Sequence, residues 1–226
     1  MKDSRKALFW DLDGTLSNSV EGIFKSLAYA FEAFDKETPD QEVLQEFLGP
    51  PIVYSLQHFC GIDTATSEAM YAKFRERYST VGKFENHLYD GMEEVLREFK
   101  TRGYYMAVAT AKPEVFAKQI LDHFQITNYF DNIVGADYDL NRIHKMDILD
   151  KATRDFAGLE EYNGLLLPHK SMSSFMIGDR RYDMEAAQHF GCTPVGVIYG
   201  FGTEEELRDS GAELLAESPK DLLEIL

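Results

Sequence analysis

Four aspartates in two short segments are the residues of this chain best suited to chemistry. Asp11 and Asp13 stand two apart in Asp11-Leu12-Asp13-Gly14-Thr15-Leu16, directly after the apolar run Ala7-Leu8-Phe9-Trp10. On an extended backbone residues i and i+2 project to one side, so the two carboxylates share a space. Gly14 permits a sharp departure of the chain beyond them. Such a pair suits nucleophilic attack and acid–base transfer, although Asp-Gly is also a common turn dipeptide. Asp179 and Asp183 stand four apart in Gly178-Asp179-Arg180-Arg181-Tyr182-Asp183, after the run Ser174–Ile177. Carboxylates at a strand-to-helix junction suit Mg²⁺, which takes a few carboxylates plus water and substrate phosphate. They would also sit well at a helix N-terminus with no ion present.

Two smaller features lie between these segments. Thr110-Ala111-Lys112-Pro113 ends an apolar run with a hydroxyl and exposed amides, and its proline falls near the first turn of a helix. Lys145 closes the polar stretch Asn141-Arg142-Ile143-His144-Lys145, ahead of a helix expected over Met146–Phe156. Taken singly, each lysine reads as a solvated charge.

The elements that would position these residues follow from the pattern of apolar runs. Ala7–Trp10, Tyr104–Thr110, Asn132–Val134, Ser174–Ile177 and Pro194–Ile198 each precede a helix-like segment, which predicts an α/β fold with a Rossmann-like parallel sheet. In such sheets the loops at the carboxyl ends of the strands form the site, and here those ends carry Asp11, Thr110 and Asp179. From Ser19 to Tyr78 the alternation stops. Ile23, Leu27, Ala30, Phe31 and Phe34, then Leu44, Phe47 and Leu48, then Ala69, Met70, Phe74 and Tyr78 recur at helical spacing. This predicts an all-helical domain over 18–87 inserted into a core formed by 1–17 and 88–226.

Composition narrows the partners. The 226 residues carry 39 Asp+Glu against 23 Lys+Arg, a net charge of −16. So acidic a chain has no excess of cations for a nucleic-acid backbone or an anionic membrane surface. Cys60 and Cys192 are too few and too far apart for a disulfide framework, and no run approaches a membrane span. A cytoplasmic protein, monomer or homodimer, is the expectation.

The order of these pieces resembles the haloacid dehalogenase-like hydrolase superfamily over nearly the whole chain. The resemblance rests on Asp11 to Leu16, Thr110, Lys145 and the acidic stretch Asp179 to Asp183, with the helical insertion matching that family's cap. Phe47-Leu48-Gly49-Pro50-Pro51 and Tyr199-Gly200-Phe201-Gly202-Thr203 are similar to its phosphoglycolate phosphatase-like branch. Asn18, where that branch commonly has Asp, is a departure, and 157–171 forms a longer segment than usual, expected to be a surface insertion.

The resemblance implies an aspartyl-phosphate mechanism. Asp11 would be the nucleophile and Asp13 the acid and base, with Thr110 and Lys145 steadying the phosphoryl group. Mg²⁺ would be held by Asp11, Asp179 and the backbone carbonyl of Asp13, with Asp183, Gly14 and Lys112 in support. Charge makes the ion necessary, because like unit charges at about 4 Å repel by roughly 4 kcal/mol at an effective dielectric of 20. Gly49, Pro50 and Arg75 are candidates for substrate selection. His58 is expected to be structural.

Asp13 argues for phosphoryl transfer, since dehalogenases of that superfamily lack the second aspartate. The expected reaction is hydrolysis of a small phosphorylated metabolite, phosphoglycolate-like or a nucleoside 5′-monophosphate. A β-phosphoglucomutase-like sugar phosphomutase remains an alternative, and a non-catalytic phosphate-binding regulator stands behind it.

Overall fold

The computed structural model describes residues 6–137, 142, 144–157 and 174–226, so the expected surface insertion lies outside the described residues from 158 onward. The first strand explains the architecture. In β1 (Ala7–Trp10) every residue is apolar and every side chain is buried. Ala7 and Phe9 enter one core, while Leu8 and Trp10 enter another on the opposite face. A strand covered on both sides needs a continuous apolar run rather than an alternating one.

The chain leaves through β2 (Ser17–Asn18) into α1 (Val20–Glu32), α2 (Gln41–Gln45), α3 (Ile52–Cys60) and α4 (Thr64–Tyr78), and returns through β3 (His87–Leu88), which pairs with β2. Then follow α5 (Met92–Thr101), β4 (Tyr105–Pro113), α6 (Glu114–His123), β5 (Asn132–Ala136), α7 (Lys145–Ala157), β6 (Ser174–Gly178), α8 (Arg181–Phe190), β7 (Thr193–Val197), α9 (Glu204–Asp209), β8 (Leu214–Ala216) and α10 (Leu222–Ile225). Among the described residues the main sheet has six parallel strands in the order β5-β4-β1-β6-β7-β8. Its core covers one face with α5, α6 and α10 through Val95, Leu96, Phe99, Ile120 and Leu222. The other face is covered by α7 and α8 through Ile148, Leu149, Ala152, Ala186 and Ala187. This is the Rossmann-like α/β sheet expected.

Differences from the expected elements have local causes. The strand β4 runs on past Thr110 to Pro113 because it bulges. Ala109 pairs with Val134 and the next pair is Pro113 with Ala136, so residues 110–112 oppose Gly135 alone. A Cβ on Gly135 would lie 2.7 Å from the Lys112 carbonyl oxygen, so glycine there makes room for the bulge. The edge strand β8 was not expected, being only three residues long.

Chain contacts divide the molecule into two compact units, Met1–Ser17 with Leu88–Leu226, and Asn18–His87. Within the second, α1 packs on α4, and a Cβ on Gly22 would stand 1.9 Å from the Gly82 carbonyl oxygen. Arg77 is half-buried. It forms a double contact with Glu85 (2.6 and 2.9 Å) and reaches Ser26 (3.2 Å), tying α4 to α1 and to the segment after Gly82. His58 is exposed, stacks on Tyr54 at 5.2 Å and meets Phe59 edge-on at 5.0 Å. Cys192 is buried and Cys60 half-buried, both free; burial pushes the Cys192 thiol up to about 11. Among the described residues no helix is long and apolar enough to cross a membrane.

Phe9 is fully buried and meets Phe156 edge-on at 6.3 Å. Replacing Phe9 by Ala should cost about 3–5 kcal/mol, read from urea unfolding of the purified protein.

Candidate active site

Register brings the site together. Trp10 pairs with Val108 on one side and with Ile177 on the other, so Asp11, Ala109 and Gly178 follow on one level at the carboxyl ends of β1, β4 and β6. Asp11 is in step with Ala7 and Phe9 and therefore projects toward the α7–α8 face. The chain winds from β1 outward to β5 on one side and to β8 on the other, which makes this the switch point where an open α/β sheet forms a crevice. Beyond Asp11 the backbone turns tightly, with Leu16 N–H donating to the Leu12 carbonyl at 3.0 Å and Gly14 N–H to that of Ser17 at 2.8 Å. Gly14 has φ +80°, and a Cβ there would also strike the Asp179 carboxylate at 2.1 Å. Glycine is required twice over.

Lys145, the first residue of α7, lies buried on the same face. Its ammonium donates to the Ala109 carbonyl at 3.0 Å and forms ion pairs with Asp11 Oδ1 at 2.9 Å and Asp183 Oδ1 at 2.7 Å. Burial acts to lower the lysine's pKa, but Asp11 and Asp183 outweigh it and hold the ammonium charged. Asp183 is in turn pushed up to about 6, chiefly by burial and by Asp11, with Lys145 pulling the other way. Gly178 leaves the space that Asp183 fills, since a Cβ there would be 2.2 Å from the Asp183 carboxyl carbon.

Asp179 has no such relief. It is fully buried, and among the described residues no lysine or arginine pairs with it. It accepts from Thr15 Oγ1 at 3.1 Å and from Phe201 N–H at 2.9 Å. Burial, then Asp183 and Asp11, raise its pKa well above the ordinary carboxylate range. Asp13 turns its Oδ2 to the ammonium of Lys112, a buried lysine on the β4 bulge, while its buried Oδ1 has no partner. Thr110 is buried on the same bulge, its hydroxyl oxygen accepting from Lys112 N–H at 3.3 Å.

Residues 8–197 match the family described as haloacid dehalogenase-like hydrolase. The chain belongs to that family. A 5′-nucleotidase of Pseudomonas aeruginosa is 36% identical, covering 89% of this chain and 86% of that protein. A phosphoglycolate phosphatase of Vibrio parahaemolyticus is 29% identical, covering 98% and 96%. Among solved structures, a predicted phosphatase from Clostridium acetobutylicum superposes with a TM-score of 0.83 at 36% identity, covering 97% of this chain and 99% of that one. Protein tyrosine kinase A of Mycobacterium tuberculosis does so with 0.80 at 30%, covering 99% and 98%. The chain is an enzyme of the phosphoglycolate phosphatase-like branch of these hydrolases.

Of the residues singled out in this hydrolase from sequence, Asp11, Asp179, Asp183 and Lys145 meet in one cluster, and Asp13, Lys112, Gly14 and Thr110 line its approaches. Gly49, Pro50 and Arg75 belong to the helical unit. Gly49 has φ +112° in the turn before α3, and Arg75 lies over the Tyr71 ring at 5.8 Å. Sequence reasoning missed the partners that are backbone atoms, the Ala109 carbonyl and Phe201 N–H, and it passed over the Thr15 hydroxyl. Thr15 was recoverable from its place beside the Asp pair; the backbone atoms carry no side-chain signal.

Asp11, Asp179 and Asp183 each bring a carboxylate oxygen into a group whose members all lie within 4.8 Å of one another. With all four carboxylates ionised, the ammonium groups of Lys112 and Lys145 would leave an excess of two negative charges. An all-oxygen donor set with a buried, cation-free carboxylate fits a hard divalent ion.

Asp179 and Asp183, both raised, bind protons in the folded state that the unfolded chain would not bind until near about pH 4. Their contribution to stability is thus complete below about pH 4; that of Asp183 is lost as pH rises through about 6, and that of Asp179 as pH rises through its own raised value. In chelator the protein should therefore gain melting temperature on going from about pH 7 to about pH 5, and the extra stabilisation by a divalent cation should shrink over the same range. Calorimetry with EDTA and with MgCl₂ reads both. A metal-free melting temperature that falls steadily over this interval would contradict the assignment.

Proposed function

We propose that this enzyme is a Mg²⁺-dependent phosphatase of small phosphomonoesters that works through a phosphorylated Asp11. The observation that carries the reading is the buried Lys145 ammonium bridging Asp11 and Asp183, with Asp179 beside them lacking any cation of its own. An anionic ester reaches such a site only if positive charge is already held there.

The steps follow from the residues. An Asp11 oxygen forms a bond to phosphorus as the ester P–O bond breaks, and Asp13 gives its proton to the departing oxygen. Water then forms the second bond to phosphorus, Asp13 takes up its proton, and the Asp11–phosphorus bond breaks to release phosphate. Splitting one displacement into two is the gain from a carboxylate nucleophile. Lys145, bonded to Asp11 Oδ1, and Leu12 N–H, donating to that oxygen at 2.8 Å, fix the carboxylate so that attack needs no search over rotamers. The Thr110 hydroxyl and the amides of the β4 bulge are donors for the transferring phosphoryl oxygens. Asp11, Asp179 and Asp183, with the Asp13 carbonyl, would hold Mg²⁺, which when bound offsets the charge of the phosphate. Lys112 keeps Asp13 aimed along the β4 side of the crevice.

Residues 18–87 are read as the cap, with Gly49, Pro50 and Arg75 among those selecting the substrate. The names of the Pseudomonas and Vibrio relatives favour nucleoside 5′-monophosphates and phosphoglycolate as first substrates.

Three outcomes test this. Purified protein should release phosphate from a phosphomonoester panel only with Mg²⁺, and isomerisation of a sugar phosphate without net release would instead mark a mutase. Asp11→Asn should lower turnover by at least about 10³-fold while leaving the fold intact by circular dichroism. Asp13→Asn should slow alkyl phosphates by about 10²–10⁴-fold but p-nitrophenyl phosphate much less, because a good leaving group needs no acid. Equal losses on both substrates would remove Asp13 from that role.

A further inference from the structure

The segment Tyr199-Gly200-Phe201-Gly202, just after β7, has no part in the chemistry above, yet it touches Asp179 from three directions. Phe201 N–H donates to Asp179 Oδ2 at 2.9 Å. A Cβ on Gly200 would lie 2.3 Å from both Asp179 Cβ and the Gly14 carbonyl oxygen, and one on Gly202 would lie 2.0 Å from the Asp179 carbonyl oxygen. Neither glycine has a left-handed φ, so the backbone conformation is open to any residue and the glycines are there for space. The loop lies backbone against backbone on the carboxylate and on the turn that carries Asp13. Its entry is pinned as well, the Tyr199 hydroxyl donating to the Thr15 carbonyl at 3.1 Å while the Thr15 hydroxyl donates to Asp179 Oδ1 at 3.1 Å. Tyr199 is braced by Tyr89, their rings crossing edge-on at 4.8 Å.

We propose that the Tyr199–Gly202 loop, closed through Thr15, is a clamp that fixes the orientation of Asp179 and thereby sets the enzyme's affinity for its divalent cation. The physical need is specific. Asp179 is a buried carboxylate without a cationic partner, and left free it would turn toward whatever donor lowered its energy. One donor on each oxygen holds the carboxylate plane while leaving lone pairs on both oxygens for an ion. Tyr199, Gly200, Gly202 and Thr15 are therefore positioning residues, acting on the ion only through Asp179. Partners of this kind commonly change metal affinity by about 10–100-fold.

The inference rests on the metal-dependent reading of the site, and its test separates the two. Mg²⁺ is titrated against the melting temperature of the metal-free protein, with no substrate present. If the unsubstituted protein shows no Mg²⁺-dependent rise, the metal reading itself fails. If it does, Gly200→Ala should need about 10–100-fold more Mg²⁺ for the same rise, because the new methyl is wedged between the Gly14 carbonyl and the Asp179 side chain and must displace Asp179. Should Gly200→Ala fail to fold, Thr15→Val decides the matter. It removes the Oδ1 donor at constant shape and should weaken Mg²⁺ binding in the same direction, while Thr15→Ser, which keeps the hydroxyl, should restore it. Tyr199→Phe should give a smaller shift of the same sign. Thr15→Val with unaltered Mg²⁺ dependence, or a loss that Thr15→Ser does not rescue, overturns the clamp and leaves these residues a purely structural part.

Discussion

Everything in the core unit is arranged around the cost of burying aspartates beside one another. Asp11, Asp179 and Asp183 lie within 4.8 Å at the end of a sheet whose strands are covered on both faces, where solvent cannot screen them. Lys145 answers two of the three with its charge while its ammonium donates to the Ala109 carbonyl. A buried charge with an incomplete set of partners is among the most destabilising things a fold can contain. The unanswered part of this cluster is therefore informative: stability alone would favour an apolar residue at Asp179, and its presence marks a demand from function.

The topology makes that concentration possible. Because β1 is the middle strand of β4-β1-β6, Asp11 at its end has neighbours from both directions of winding. Lys145 and Asp183 descend on it from α7 and α8, helices on the face toward which Asp11 points, while Thr110 and Lys112 come from the bulge in β4. The bulge places three residues opposite one and so breaks the ladder beside Asp11. A regular continuation would have tied the amides of 110–112 to β5.

Much of this was legible in the residues themselves. The unbroken apolar run of β1 announced a strand buried on both faces, and the aspartate pair after it announced the site. The carboxylates at 179 and 183 read equally as metal ligands or as helix N-terminal residues, and the ion pair of Asp183 with Lys145 was not legible from their spacing. What could not be read is of two kinds. Backbone donors and acceptors, such as Phe201 N–H and the Ala109 carbonyl, are present at every position and stand out only by placement. Glycines that serve space rather than conformation look identical in sequence to those at left-handed φ. Gly200 and Gly202 are the first sort, Gly49 the second, and Gly14 is both.

The relatives sharpen what the core can and cannot decide. A 5′-nucleotidase, a phosphoglycolate phosphatase and a protein tyrosine kinase bear clear likeness to this chain. A carboxylate that accepts a phosphoryl group is indifferent in principle to whether water or a hydroxyl later removes it. The choice lies in which acceptor reaches phosphorus beside a base. On the proposed reading that base is Asp13, whose Oδ2 lies against the Lys112 ammonium, so an acceptor must bring its hydroxyl within hydrogen-bond reach of that carboxylate before it can take phosphorus from Asp11.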